Sequence, residues 1–248
     1  MSPPSVRVTL RIPVALSDPT QLMNGLPDGF EIDEQWLITP DDDKFEISPL
    51  PPDDQFANVF TTSCRQPATP DETSVVQNYQ ANICLCGPGG SLESALRMMK
   101  AGVAIIEAGG AGVFIDNSGL AHGGSLWRQM ADDGGPDALS YGFVSIVEGK
   151  QHVWTMGMHV LGLPEVLLRR QDNSDGNNSD GNNIVEIIRY MASSNKPIED
   201  GHILIDENGP TFRAVATDAD ERITPDSAMY NPWGRLKMVS MNEIAESN

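Results

Sequence analysis

The stretch from Ile83 to Asp116 constrains the fold most, because it predicts a strand, a glycine-rich turn, a long helix and a second strand in succession. The glycines and the proline of residues 87–90 end the first strand, and the Ser91 hydroxyl is placed to cap the free amides of the helix. The helix carries apolar side chains at three- and four-residue spacing, at Leu92, Ala95, Leu96, Met99, Val103 and Ile106. Such a stripe has to be buried, so we expect the helix at 91–108 to pack across a sheet.

The remaining patterns predict sheets built mostly of hairpins. Residues 6–14 alternate between apolar and polar side chains, and the runs 30–39 and 44–48 flank an acidic turn. Asn208-Gly209 predicts another hairpin, because both residues tolerate the positive φ of a tight turn. Further strands are predicted at 112–116, 139–147, 152–160, 163–169 and 235–239. With a second amphipathic helix at 183–193, the chain is predicted to be an α+β protein with two main helices packed on mostly antiparallel sheets.

The domain organisation is less constrained, since 248 residues allow one large domain or two small ones. The proline- and acid-rich interval 49–73 is the best linker candidate, and it fits a long surface loop inside one domain equally well. We therefore predict a β-rich N-terminal lobe at 1–65, either separate or part of one domain, and an α+β main domain at 74–248. The doubled SDGNN sequence at 174–183 predicts a surface loop, because it lacks the terminal acidic ligand of an EF-hand.

Charge excludes several classes of partner. The chain has a formal net charge of −19 and no basic segment, so neither a nucleic acid nor an anionic membrane surface is expected to bind it. No apolar run reaches the roughly 18 residues of a transmembrane helix, and the first residues lack the pattern of a signal peptide. We therefore expect a cytoplasmic protein whose acidic surface suits a basic protein partner, and a homo-oligomer is compatible with the same composition.

Three cysteines are too few, and odd in number, for a disulfide framework. Cys84 and Cys86 are two residues apart on a predicted strand, so their side chains should point the same way. Two core thiols are the favoured interpretation, and a metal or redox pair is the alternative. Because no second cysteine pair or histidine cluster accompanies them, we predict neither a metal site nor a cofactor.

Two glycine-rich loops hold the candidate ligand-binding residues, which are Gly87, Gly89, Gly90, Ser91, Asp116 and His122. Amides at a helix N-terminus can hold a phosphate or a carboxylate, which favours the turn at 87–91. The turn lacks the lysine of a P-loop, and Leu92 occupies the position of the third glycine of a dinucleotide motif, so a purely structural turn is the favoured interpretation and ligand binding is the alternative. His122 lies in the second loop, near the end of the strand that Asp116 closes, and either residue is equally compatible with a polar surface role.

Two segments resemble the bacterial domain-of-unknown-function 4261 family: GAGVFIDNSGLAHGGSLW at 110–127 and TMGMHVLGLPEVLL at 155–168. The matching positions are Gly112, Val113, Asn117, Gly119, His122, Gly157, Leu161, Gly162, Pro164 and Glu165. The resemblance covers the middle and C-terminal half of the chain and leaves residues 1–76 aside. It implies repeated helix-on-sheet units, with two ferredoxin-like halves as one arrangement, and it implies no catalytic residue because the family has no established reaction.

The leading functional hypothesis is a non-enzymatic binding protein, because no nucleophile–base or metal signature accompanies the strong negative charge. The alternative is a small-ligand-binding protein or an enzyme that uses the turn at 87–91 together with the His122 loop. This alternative requires the two loops to line one pocket. A structural subunit of a homo-oligomer is the third hypothesis.

Overall fold

The computed structural model describes residues 4–16, 19–170, 179–194, 196–205 and 211–240. The first sheet has the strand order β2-β3-β4-β5-β1-β6-β7, with β1 Arg7–Val14, β2 Glu31–Asp33, β3 Trp36–Ile38, β4 Lys44–Leu50, β5 Ala81–Pro88, β6 Gly112–Ile115 and β7 Leu120–Gly123. The second has the order β11-β12-β13-β10-β9-β8, with β8 Ser145–Glu148, β9 His152–Met156, β10 Glu165–Arg169, β11 Ile203–Leu204, β12 Phe212–Thr217 and β13 Arg235–Ser240. The described helices are α1 Pro19–Gly25, α2 Phe56–Ser63, α3 Pro70–Gln77, α4 Leu92–Glu107, α5 Gly124–Asp133, α6 Pro136–Phe143 and α7 Ser179–Ser193, with a 3-10 turn at Met158–Leu161.

The unit β5-α4-β6 is the predicted strand, helix and strand. β1 lies between β5 and β6 and pairs antiparallel with both, so the two strands joined by α4 are parallel and one strand apart. The Ser91 hydroxyl accepts a hydrogen bond from the Ser94 amide at 3.1 Å, as the sequence predicted. After α4, Gly109 has a φ of +117°, a conformation that an L side chain rarely adopts, and the chain turns there into β6.

The main core lies between α4 and one face of the first sheet, here called the inner face. Leu10 of β1 and Leu85 of β5 are fully buried beneath Met98 and Met99 of α4. Gly102 allows α4 to pack closely against the side chain of Trp127, because a Cβ at this position would lie 2.9 Å from the ring nitrogen of Trp127. The expectation that the apolar face of this helix covers a sheet is confirmed.

The protein is an α+β fold in which α4 and α7 are the two longest described helices. Antiparallel pairs dominate both sheets, and among the strands that the structure describes only β10 and β13 pair parallel to each other. The predicted hairpins at the acidic turn and around Asn208-Gly209 correspond to the pairs β3–β4 and β11–β12. Residues 206–210, which include the second turn, lie outside the described residues, and the ferredoxin-like halves stay a prediction.

The interval 49–73 contains ordered helices, so its interpretation as a linker is wrong. Phe56 and Phe60 of α2 are buried against the first sheet, and Thr69 and Glu72 form a reciprocal capping box at the start of α3. Aromatic side chains at four-residue spacing and a Thr-Pro-Asp-Glu start are both helix signals, and here they outweigh the prolines.

The predicted strand at 139–147 begins as a helix, which is a second correction. Pro136 occupies the first turn of α6, where its missing amide costs nothing, and Leu139 and Phe143 are buried at helical four-residue spacing. Only residues 145–148 form the strand β8.

Strands from both sides of the predicted domain boundary share the first sheet. β1 to β4 belong to the segment 1–65, and β5 to β7 follow in the segment 74–248. The first copy of the doubled SDGNN sequence, at 174–178, lies outside the described residues. The second copy, at 179–183, forms the start of α7, so the surface-loop prediction is wrong for that copy. Among the described helices, none combines the length and apolarity needed to cross a membrane.

Candidate functional site

The face of the first sheet that points away from α4, here called the outer face, carries a group of polar and reactive side chains. Because strand side chains alternate, Arg7, Thr9 and Arg11 of β1 all project to this face. The register places Thr9 opposite Cys86 and Arg11 opposite Cys84. Both cysteines are half-buried. The two strands that supply the core on one side therefore present two thiols, a hydroxyl and two guanidinium groups on the other.

The two thiols of the outer face form a close pair. The sulfur atoms of Cys84 and Cys86 are 3.7 Å apart, and the Thr9 hydroxyl oxygen lies 3.4 Å from the sulfur of Cys86. A hydrogen bond from the Cys84 thiol, helped by Thr9 and by the charge of Arg7, lowers the pKa of Cys86 to about 6. The same contact with Cys86, together with burial, raises the pKa of Cys84. The prediction that both side chains point the same way is confirmed, whereas neither thiol is a core residue.

The two arginines beside the thiols are held by carboxylates. Arg11 donates to both oxygens of Asp116, from Nε at 2.8 Å and from Nη2 at 2.9 Å. Arg7 donates to Glu46 of β4, which lies on the far side of β5 from β1. These pairs fix the guanidinium groups over the sheet, so the cations lie close to the sulfur atoms on either side.

An acidic edge borders the outer face. Residues 28–54 contain ten carboxylate side chains and one lysine. Two of the carboxylates form ion pairs, Asp43 with Arg97 and Glu46 with Arg7. The other eight are exposed, at Asp28, Glu31, Asp33, Glu34, Asp41, Asp42, Asp53 and Asp54. This edge includes β2, the terminal strand of the sheet.

The backbone amides of the predicted glycine turn at 87–91 donate hydrogen bonds to other parts of the protein. Gly89 donates to the carbonyl of Val6 and Gly90 donates to that of Val160, each at 2.9 Å. A Cβ on Gly89 would lie 2.6 Å from a methyl carbon of Val8, and Gly90 has a φ of +86°. Close packing and turn geometry therefore account for these two glycines, which agrees with the structural interpretation of the turn.

His122 lies on the inner face and is fully buried. Its Nε2 is 3.0 Å from the carbonyl oxygen of Gly142, and its ring packs between those of Trp127 and Tyr141. Burial lowers the pKa of His122 to about 4. The imidazole is therefore neutral at physiological pH, and its surroundings are those of a core residue.

The structure distributes the predicted site residues over three places. The glycine turn and Ser91 lie beside Val6 and Val160, His122 lies beside Gly142 in the core, and Asp116 lies on the outer face. The described neighbours of the turn and of His122 do not overlap. Of the predicted residues, only Asp116 belongs to the outer-face site.

A buried polar network that the sequence did not reveal joins the two sheets. Glu165 accepts hydrogen bonds from the Thr155 hydroxyl at 2.7 Å and from the Asn231 amide at 2.9 Å, and its Oε1 lies 3.4 Å from Nδ1 of His159. Asn117 accepts from the Thr9 amide at 3.0 Å, and its side-chain nitrogen lies 3.1 Å from the His159 ring. An acidic residue inside the apolar run 163–168 was the available signal for this network.

Comparison of the chain with family models, with curated proteins and with solved structures finds no match. The resemblance to the domain-of-unknown-function 4261 family therefore stays a prediction.

Proposed function

We propose that this protein is a non-enzymatic binding protein that takes an extended basic segment of a protein partner along the acidic edge of its first sheet. The observation that carries the proposal is the coincidence of charge and strand edge: Glu31 and Asp33 are exposed on the terminal strand β2, and Asp28 and Glu34 are exposed three residues before it and directly after it. Opposite charge steers a partner to its site and excludes competitors of the wrong sign.

The terminal strand β2 supports a specific mode of binding. It pairs with β3 on one side, and no further strand pairs with its other side in the described part of the chain. An added strand gains main-chain hydrogen bonds from such an edge, and its side chains alternate between the two faces. The partner segment would meet Glu31 and Asp33 on one face and Ile32 on the other.

The side of β2 that carries Ile32 adjoins an apolar groove of about 280 Å³. Leu22, Met23 and Ile47 are among its lining residues. A segment that alternates lysine or arginine with apolar residues fits both sides of the edge at once, because its cations face the carboxylates and its apolar side chains face the groove. This is the chemistry that we assign to the partner.

Binding of a synthetic peptide that alternates lysine and valine over eight residues tests the proposal. The double variant Glu31→Gln, Asp33→Asn removes two carboxylates from β2. Exposed ion pairs contribute up to about 0.5 kcal/mol each in such positions, so we expect roughly fivefold weaker binding by isothermal titration calorimetry. The affinity should also fall as salt is added, because salt screens exposed charges.

A matched double variant, Glu107→Gln with Asp132→Asn, removes two exposed carboxylates from α4 and α5. We expect it to bind the peptide as the unmodified protein does. Equal weakening by the two double variants would mean that only net charge attracts the peptide, and it would overturn the assignment of the acidic edge.

A further inference from the structure

The thiol pair of the outer face is chemically distinct from the acidic edge and is independent of the proposed partner. Cys84 and Cys86 occupy alternate positions of β5, and their sulfur atoms are 3.7 Å apart on a half-buried surface. Both sulfurs therefore face one point above the sheet. The question is whether that arrangement suits a disulfide, a four-coordinate metal or a two-coordinate metal.

The backbone disfavours a disulfide between these cysteines. β5 is paired with β1 on one side and β4 on the other at both cysteine positions. The strand rise of about 3.4 Å places the two Cα atoms, and the two parallel Cβ atoms, about 6.8 Å apart. A disulfide needs its Cβ atoms roughly 3.8 Å apart, so closing one would break the pairing of an interior strand.

The surrounding side chains disfavour a four-coordinate ion. Structural zinc takes four nitrogen, sulfur or oxygen ligands. Within the part of the chain that the structure describes, no group of three or more His, Cys, Asp or Glu side chains is placed to hold a metal. The neighbours of the pair on β1 are instead Thr9, Arg7 and Arg11, which repel a divalent cation by charge or bind it poorly.

We propose that Cys84 and Cys86 together bind one soft, two-coordinate metal ion of the Cu(I) type, held as a linear dithiolate across alternate residues of β5. Thiolates select soft ions such as Cu(I). With the zinc–sulfur distance of about 2.3 Å as a guide to metal–thiolate bond lengths, a linear arrangement needs the sulfurs roughly 4.6 Å apart. Rotation about the Cα–Cβ bonds of two half-buried side chains supplies that opening without moving the strand.

Charge also favours a monovalent ion at this position. Both sulfurs bind as thiolates, so any proton that they carry leaves to solvent, and two thiolates with one Cu(I) have a net charge of −1. The guanidinium groups of Arg7 and Arg11 lie on the adjacent strand and offset that charge. Glu46 and Asp116 hold these cations in place through their ion pairs.

Anaerobic titration of the reduced protein with Cu(I), in competition with a chromogenic Cu(I) chelator, tests the proposal. We expect one ion per chain. Cys84→Ser and Cys86→Ser should each weaken binding at least about a hundredfold, because a hydroxyl is a hard and poor ligand for this ion. Cys64→Ser is the matched control and should bind as the unmodified protein does, because Cys64 lies at the end of α2, away from the pair.

A second measurement needs no variant. The Cu(I)-loaded protein is treated with iodoacetamide, and the modified peptides are identified by mass spectrometry; Cys84 and Cys86 should be protected together. Loss of binding in Cys64→Ser, retention in either of the other variants, one ion per two chains, or equally tight binding of Zn²⁺ would each overturn the proposal.

Discussion

The two faces of β1 and β5 differ in almost every property although they share one backbone. On the inner face, Leu10 and Leu85 are opposite one another and fully buried beneath α4. On the outer face, at the next position along β1 and the preceding position of β5, Arg11 and Cys84 are opposite one another and half-exposed. The same hydrogen-bond ladder thus supports a packed apolar layer on one side and a set of reactive groups on the other.

The difference teaches that, along β1 and β5, stability and chemistry are divided between the two faces of the sheet. A titratable group on each face illustrates the division. Burial lowers the pKa of His122 on the inner face, whereas hydrogen bonds from Cys84 and Thr9 and the charge of Arg7 lower that of Cys86 on the outer face. Desolvation governs the first group, and specific neighbours govern the second.

Substitutions at two adjacent residues of β5 should show most clearly how differently the two faces contribute to the free energy of unfolding. Leu85→Ala leaves a cavity in the core and is expected to lower the free energy of unfolding by about 3–4 kcal/mol. Cys84→Ala, the neighbouring position on the outer face, should lower it by less than about 1 kcal/mol, because a half-buried side chain loses little packing. Urea unfolding followed by circular dichroism measures both values. Similar losses at the two positions would contradict the division between faces.

Acid should lower the free energy of unfolding of the protein through His122, which lies on the inner face. The pKa of His122 is about 4 in the folded protein, and the ordinary value near 6.5 applies to the unfolded chain. Between these values the unfolded chain binds a proton that the folded protein does not, so stability falls as the pH is lowered from about 6.5 to 4. The expected loss is about 2–3 kcal/mol.

The contribution of His122 is isolated by subtracting the stability curve of His122→Gln, whose amide can still donate to the Gly142 carbonyl. Other titrating groups cancel in the difference. If the unmodified protein and the variant lose stability in parallel from pH 6.5 to 4, the imidazole is not the group responsible.

Local patterns made much of this fold predictable. The alternation of β1, the stripe of α4, the cap at Ser91 and the shared direction of Cys84 and Cys86 each depend on residues a few positions apart. A structural turn at 87–91 was equally predictable, because close packing and a positive φ at such a turn both require glycine. These features lie within the reach of side-chain periodicity and capping chemistry.

Contacts between distant segments were not predictable in the same way. Arg11 and Asp116 are 105 residues apart in sequence, so Asp116 was selected for its position near a loop rather than for its partner. Glu72 caps α5 by accepting from the Ser125 amide, a contact between residues 53 positions apart in sequence. His122 was placed in a loop because its neighbours are glycines, yet β7 carries it into the core. Each case needed the strand order, which periodicity does not supply.

The last prediction concerns the chemical reactivity of Cys86 and involves the smallest change in stability. It tests whether the side chains of the outer face lower the pKa of this thiol. Its pKa of about 6 makes it largely a thiolate at neutral pH, whereas burial raises the pKa of Cys64 to about 11. The thiolate is the nucleophile, so alkylation by iodoacetamide should become half-maximal near pH 6 at Cys86 and only in strong alkali at Cys64.

Two arginine variants test the cause of this difference. Arg7→Gln should raise the pH at which alkylation of Cys86 is half-maximal. Arg97→Gln, which removes an ion pair with Asp43 instead, should leave that pH unchanged. Identical profiles for Cys86 and Cys64 would show that the neighbours of the outer face do not tune its chemistry.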